Sequence, residues 1–201
     1  MIEGILPLWK EKGMTSFGCV SRVRRIVGMK KVGHAGTLDP EVEGVLPIAL
    51  GNATKVLEFM LDSDKVYAGE ITLGYTTSTE DATGEIIVRE EVTEELHEEK
   101  IDQILESFVG KISQTPPMFS AVKIGGKRLY EYAFEGKEIE RPSREVTIYS
   151  LERTSALKYD EVEKTVQFSF DVKCSKGTYI RTLAVDMGEK IGFPAHMSKL
   201  T

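Results

Sequence analysis

Apolar and polar positions along this chain follow two periods, and the period changes several times. Val20, Val23 and Val27 recur at helical spacing behind Thr15-Ser16, which caps a predicted helix ending near Gly28. Residues 65–73 are rich in strand formers and put Tyr67, Gly69, Ile71 and Leu73 on one side of an extended chain. Ile101, Ile104, Leu105 and Phe108 then follow the i, i+3, i+4, i+7 pattern. That spacing predicts an amphipathic helix with Thr93 as its cap and its acids facing water. Val166, Phe168, Phe170, Val172 and Cys174 alternate with polar partners, a strand that ends at the turn Ser175-Lys176-Gly177. Leu183, Ala184, Met187 and Ile191 read as a short helix closing near Gly192. Strands and helices are therefore interleaved, which predicts a mixed α/β (α+β) chain without internal repeats.

Residues 115–144 differ in character. They contain Pro116-Pro117 and Gly125-Gly126, with Phe119, Tyr130, Tyr132 and Phe134 interleaved among basic residues. The stretch reads as a long excursion from the core with a short helix around 128–135. Basic residues beside aromatics suit loop or single-stranded RNA, gripped through phosphates and base stacking. Aromatics that anchor the excursion to the core would give the same pattern.

Composition narrows the setting. A chain of 201 residues with 41% hydrophobic residues can bury a core as one domain, or one domain with a small appendage, and is not a disordered chain. No apolar run reaches the roughly 18 to 20 residues needed to cross a bilayer. The N-terminus lacks a basic region followed by an apolar one, so no signal peptide is expected. Cys19 and Cys174 form neither a disulfide framework nor a zinc knuckle, and the expected setting is cytoplasmic and reducing. The formal net charge of −6 argues against a nucleic-acid partner at first sight. Resolved by segment, residues 76–107 alone carry −9, while residues 1–34, 111–128 and 173–201 carry +5, +4 and +3. If those three stretches meet, they form an electropositive face on an acidic protein; apart, they are ordinary solvated surface.

Two constellations can carry chemistry. Gly33-His34-Ala35-Gly36-Thr37-Leu38-Asp39-Pro40 packs two glycines, a histidine and a carboxylate before a proline, which restricts the backbone of Asp39. Either this is a stiff loop that presents Asp39 at a fixed angle, or it is a plain Asp-Pro turn. Where the strand ending at Cys174 gives way to a helix, Tyr179 and Arg181 lie two residues apart and share a side of an extended backbone. An arginine facing a carboxylate keeps it ionised, and an aromatic face supports a flat ligand. A surface arginine beside a core tyrosine would read the same way. No phosphate-binding or dinucleotide glycine motif is present, and His34, His97 and His196 lack metal-ligand spacing.

Together these residues resemble the bacterial TruB-type tRNA pseudouridine synthases. Four blocks match in order and spacing: Lys10 with Gly13-Met14-Thr15-Ser16, the Gly33–Pro40 loop, Asp62-Ser63-Asp64-Lys65-Val66-Tyr67, and Cys174–Leu183. Pro116–Ala121 and Leu129–Ala133 are also similar, so the resemblance runs from residue 2 to residue 200. It implies the pseudouridine synthase fold, a mixed and mainly antiparallel sheet flanked by helices with a central RNA-binding cleft.

Residue by residue, the resemblance implies that Asp39 is the catalytic aspartate, Tyr67 the active-site tyrosine and Arg181 the arginine paired with the aspartate. Tyr179 falls on the aromatic lining the uracil pocket. His34 falls on the histidine associated with the opened T-loop, and Lys10 and Leu200 on positions that support the site. Lys123, Lys127, Arg128 and Lys176 are the further candidates for RNA contact. Glu11 stands where the family has a proline. The family continues into a small C-terminal RNA-binding domain that these 201 residues do not include, so they are expected to form the catalytic domain, with the excursion at 115–144 as an RNA-binding element.

The function implied is isomerisation of uridine 55 in the T-loop of tRNA by a cytoplasmic monomer, without metal, cofactor, membrane or guide RNA. The rival is a tRNA-binding or folding module that opens the T-arm without chemistry. Within enzymes the rival is the guide-RNA-dependent relative of archaea and eukaryotes, against which the compact N-terminus argues.

Overall fold

The computed structural model describes residues 2–93 and 95–201; Glu94, one of the acids of the 76–107 stretch, and Met1 lie outside the described residues. The chain folds into two compact units, one running up to Asp64 and taking in Leu200–Thr201, the other spanning Lys65–Lys199.

In the first unit, β1 (Gly4–Lys10), β3 (Gly44–Leu50) and β2 (Val32–His34) form an antiparallel sheet in the order β1-β3-β2. Helix α1 (Ser16–Val27) starts as its sequence predicts: the Thr15 hydroxyl oxygen accepts from the backbone N–H of Gly18 at 2.9 Å, and Gly28 closes the helix in a left-handed conformation. Its buried Cys19, Val20 and Val23 pack on Val32, Leu46, Ile48 and Leu50. Burial of that stripe, rather than helix propensity, holds the element in place. A 3₁₀ turn (Gly51–Val56) and the short α2 (Leu57–Leu61) complete the unit.

In the second unit, β4 (Lys65–Leu73), β7 (Gly110–Gln114), β10 (Arg144–Arg153), β12 (Thr165–Cys174) and β13 (Ala195–Leu200) lie in the order β13-β4-β12-β10-β7, with β11 (Lys158–Asp160) paired to β12. The pairs β4–β12, β10–β12, β7–β10 and β11–β12 are antiparallel, as expected for the fold class. The alternation from Val166 to Cys174 is the sheet's buried face. Gly69 sits opposite Phe170, and a Cβ there would stand 2.5 Å from the ring, so the glycine makes room for the phenylalanine. Helices α3 (Glu98–Glu106) and α5 (Ile180–Ile191) bury Ile101, Leu105, Leu183, Ala184 and Met187 with this sheet. The strands β5 (Tyr75–Thr77) and β6 (Ile86–Arg89) form a separate hairpin.

Two expectations change. Thr93 does not cap α3, which begins at Glu98 with His97 in the capping position. Leu96, just before it, is bonded elsewhere: its N–H donates to the Tyr159 hydroxyl, 2.8 Å away, its carbonyl accepts from the same hydroxyl, and His97 itself is extended. The acids of α3 stay at the surface as expected, and two of them, Glu98 and Asp102, one turn apart, also close on Arg153 of β10 at 3.0 and 2.8 Å. Tyr179 and Arg181 do not share an extended backbone, since Tyr179 is the N-cap of α5 and Arg181 lies in its first turn.

The segment between β7 and β10, which are neighbours in the sheet, is the excursion. Its stem is fastened by a Thr115–Ser143 hydroxyl bond of 2.7 Å and by Arg141, which donates to the carbonyl of Pro116 at 3.0 Å. Beyond the stem, β8 (Lys123–Ile124) and β9 (Lys127–Arg128) pair around Gly125-Gly126, both with positive φ, as a two-residue hairpin of this type requires. The short helix α4 (Leu129–Phe134) follows, where one is predicted.

Candidate active site

Asp39 lies in the connection from β2 to β3, and both its neighbours are anchored. The backbone N–H of Leu38 donates to the Ser16 hydroxyl at 3.0 Å, and that hydroxyl donates back to the Leu38 carbonyl at 3.2 Å. On the other side, the Pro40 carbonyl accepts from the Gly13 N–H at 2.9 Å and from the Lys10 ammonium at 3.1 Å. The Asp39 carbonyl accepts from Val42 N–H at 3.1 Å. The loop is therefore the stiff one of the two sequence readings, and Asp39, half-buried, is carried at a set position.

Lys10 is 0% exposed, and its ammonium also donates to the carbonyls of Glu11 (3.0 Å) and Met14 (2.9 Å). Burial lowers its pKa from the ordinary lysine value, opposed by nearby acids including Asp39. It is placed as a tether of the loop. Glu11 sits exposed in the turn that Lys10 ties through its carbonyl, a contact any residue at that position can make. His34 bonds the Gly36 carbonyl through Nδ1, so that nitrogen carries the proton.

In the second unit, Arg181 is 6% exposed and joins three segments. Its two terminal nitrogens donate to the carbonyls of Thr79 (3.0 Å) in the β5–β6 turn and Phe119 (2.9 Å) in the excursion, and one lies 3.7 Å from the Asp81 carboxylate. Asp81 is itself held: one of its oxygens accepts from the Thr79 hydroxyl and from the N–H and hydroxyl of Thr83 at 2.6–2.9 Å, while the other faces Arg181.

Tyr179 is positioned by its backbone and by its ring. The Gln114 side chain accepts from its N–H at 2.8 Å and donates to its carbonyl at 3.0 Å, and the Arg144 guanidinium lies 4.9 Å from the ring centroid. Arg144 also donates to the Gly177 carbonyl at 2.5 Å, which ties down the turn that carries exposed Lys176. Tyr67 is half-buried on β4 opposite Val172, and Leu200 half-buried at the end of β13. Lys123, Lys127 and Arg128 are brought together on the β8–β9 hairpin. Lys127 pairs with Glu135 and lies 5.0 Å from the Tyr132 ring, and Arg128 donates to the Tyr130 hydroxyl at 3.2 Å. The aromatics pack largely on one another: Phe119 and Tyr130 flank Phe134 edge-on at 5.8 and 6.2 Å, and Phe134 stays 78% exposed.

Gln114, Thr79, Asp81 and Arg144 were not found from sequence. An Asp between threonines before Gly84 does signal an Asp-centred turn. Nothing local marks Gln114, whose partner lies 65 residues away. Among the described residues no group of three or more His, Cys, Asp or Glu is placed to hold a metal ion, and no helix is long and apolar enough to cross a membrane.

Comparison with known proteins agrees with this picture. Residues 24–180 match the family model described as TruB family pseudouridylate synthase (N terminal domain). The tRNA pseudouridine synthase B of Bacillus pumilus is 60% identical over the whole of this chain, which spans 64% of that protein. The protein of the same name from Streptococcus pneumoniae serotype 4 is 58% identical, and the chain spans 68% of it. Among solved structures, a chain of a Cbf5-Nop10-Gar1 complex superposes with a TM-score of 0.70 at 32% identity, covering 98% of this chain and 47% of that one. A further one, from an H/ACA RNP bound to a substrate RNA containing 2′-deoxyuridine, gives 0.67 at 28% identity. The chain, with its anchored Asp39 loop and mainly antiparallel sheet, belongs to the TruB family of pseudouridylate synthases and matches their N-terminal domain.

Proposed function

We propose that this chain is the catalytic part of an enzyme that isomerises uridine 55 in the T-loop of tRNA to pseudouridine, acting without a guide RNA. The observation that carries the reading is the double anchoring of the Asp39 loop, through Leu38 and Pro40, in a member of this family. A carboxylate held in advance at one place needs no reorganisation when the nucleotide arrives.

The reaction breaks the bond from C1′ to N1, turns the uracil and joins C5 to C1′. The hydrogen at C5 is lost and N1 gains one, so the change balances without a second substrate, oxidant or reductant. A stacked uridine is out of reach of any side chain, and the target must swing out of the loop. Tyr67 and Tyr179 are the aromatic faces assigned to the extruded base. Asp39 acts as a carboxylate, by attack on C1′, by attack on the base or by removal of the 2′ proton. Arg181 is assigned to stabilise the charge. Lys123, Lys127, Arg128 and Lys176 are assigned to phosphates, with exposed Phe134 beside the hairpin offering a stacking surface. Lys10, His34 and Leu200 are assigned to support the site.

The test is tritium release from 5-tritiated uridine in an unmodified T-arm transcript with no guide RNA added. The wild-type chain releases tritium, and Asp39→Asn does not while binding the transcript within a few-fold of wild type. Release by Asp39→Asn at the wild-type rate removes Asp39 from the mechanism. Binding by wild type with no release makes the chain a tRNA-binding module.

A further inference from the structure

Among the described residues only Glu80 and Lys164 are non-glycine residues with left-handed backbone, and Glu80 has φ of 64°. A side chain rarely adopts that conformation unless its surroundings hold it there. Glu80 stands between Thr79, whose carbonyl accepts from Arg181, and Asp81, whose carboxylate faces it. The Glu80 side chain is bonded elsewhere. Its Oε2 accepts from the Thr182 hydroxyl at 2.6 Å, and its backbone carbonyl accepts from the Met197 N–H at 3.0 Å. Thr182 directly follows Arg181 on α5. The turn and the helix are thus joined on both sides of the guanidinium: Arg181 to Thr79 and Asp81, and Thr182 to Glu80.

We propose that Glu80 is a positioning residue for Arg181, latching the Thr79–Asp81 turn to the first turn of α5 through Thr182, so that the guanidinium meets partners already in place. The functional half of this proposal rests on the isomerase reading of Arg181; the structural half does not. Charged groups surround the latch. Glu80 faces Arg181 and Arg141 as opposite charges and Asp81 and Asp186 as like ones. Asp186, one turn beyond Thr182, faces Glu80, Glu189 and Lys190. Burial pushes both carboxyls up, Asp186 to about 6, and their mutual repulsion adds to the shift of Asp186.

The experiment compares wild type with Glu80→Gln, Glu80→Ala, Thr182→Val and the Ala/Val double variant. Gln keeps an acceptor oxygen for Thr182, whereas Ala and Val open the latch from opposite sides. Opening it is expected to lower kcat for tritium release about tenfold with KM within about twofold, the double variant no worse than the lower single, and Glu80→Gln within about threefold of wild type. Exchange of the Arg181 guanidinium protons, read by ¹⁵N NMR without any RNA, should quicken in the Ala and Val variants and not in Glu80→Gln. In Glu80→Gln the Asp186 carboxyl should titrate below about 6, because a like charge is gone. Thr182→Val, which keeps the side-chain volume, decides the matter if Glu80→Ala fails to fold. Unchanged Arg181 exchange in Thr182→Val overturns the latch. Quickened exchange in the Ala and Val variants of a protein whose wild type releases no tritium keeps the latch and rejects the isomerase reading. Tritium release with unmoved exchange does the reverse.

Discussion

The side-chain amide of Gln114 closes on both backbone polar groups of Tyr179, accepting from its N–H at 2.8 Å and donating to its carbonyl at 3.0 Å. Gln114 ends β7, where the excursion begins, and Tyr179 caps α5, where the helix carrying Arg181 begins. One buried amide therefore sets the starting point of two elements.

Replacing Gln114 by Leu leaves the Tyr179 N–H without its partner, while the carbonyl keeps the bond from the Leu183 N–H at 3.0 Å. An orphaned buried donor costs about 1–3 kcal/mol, so urea unfolding should show a loss of that size. A loss below about half a kcal/mol would mean that the bond is replaceable by water.

Lys10→Met removes three bonds to carbonyls from a fully buried position. The effect should be local first: the Gly13 and Leu38 amides, which close the loop around Asp39, should exchange with solvent about tenfold faster while the amides of β12 do not. Uniform acceleration throughout would show that Lys10 supports the whole fold instead.

Arg181→Lys replaces two donating nitrogens, set apart in a plane, by one ammonium that cannot reach both Thr79 and Phe119 carbonyls. Tritium release should fall by about a hundredfold. The melting temperature should also drop by several degrees, since one carbonyl is orphaned. Lost activity with an unmoved melting temperature would show that the carbonyl contacts do not contribute to stability.

Asp186 holds its proton to about 6 in the folded protein, above the ordinary carboxyl value, chiefly because it is buried and then because Glu80 and Glu189 repel its charge. The folded state binds that proton more tightly than the unfolded one, so the contribution to stability is complete below about pH 4 and is lost as pH rises through about 6. Asn imitates the protonated form. Asp186→Asn should therefore raise the melting temperature at pH 8, and the gain should shrink towards pH 4; a gain independent of pH would contradict the assignment.

Much of this was legible in the chain itself. The alternation from Val166 to Cys174 and the stripe of Val20 and Val23 are local signals: each apolar side chain must face the interior of its own element, and the period shows which face that is. The crowding of Gly33, Gly36, Asp39 and Pro40 marked a special backbone, although it left open whether the loop was stiff. The start of α3 was misplaced because the backbone of Leu96 is bonded to the hydroxyl of a distant Tyr159, and the helix begins only after the extended His97.

The order and type of the main elements, and the residue types available for chemistry, follow from local pattern along the chain. The tertiary structure decided which groups those residues meet. Arg181 reaches Thr79 across 102 positions and Phe119 across 62, and in both cases it meets a backbone carbonyl. Every residue carries such a carbonyl, so no side-chain pattern announces it, and only the docking of the β5–β6 turn and the excursion against α5 brings the partners within hydrogen-bond distance.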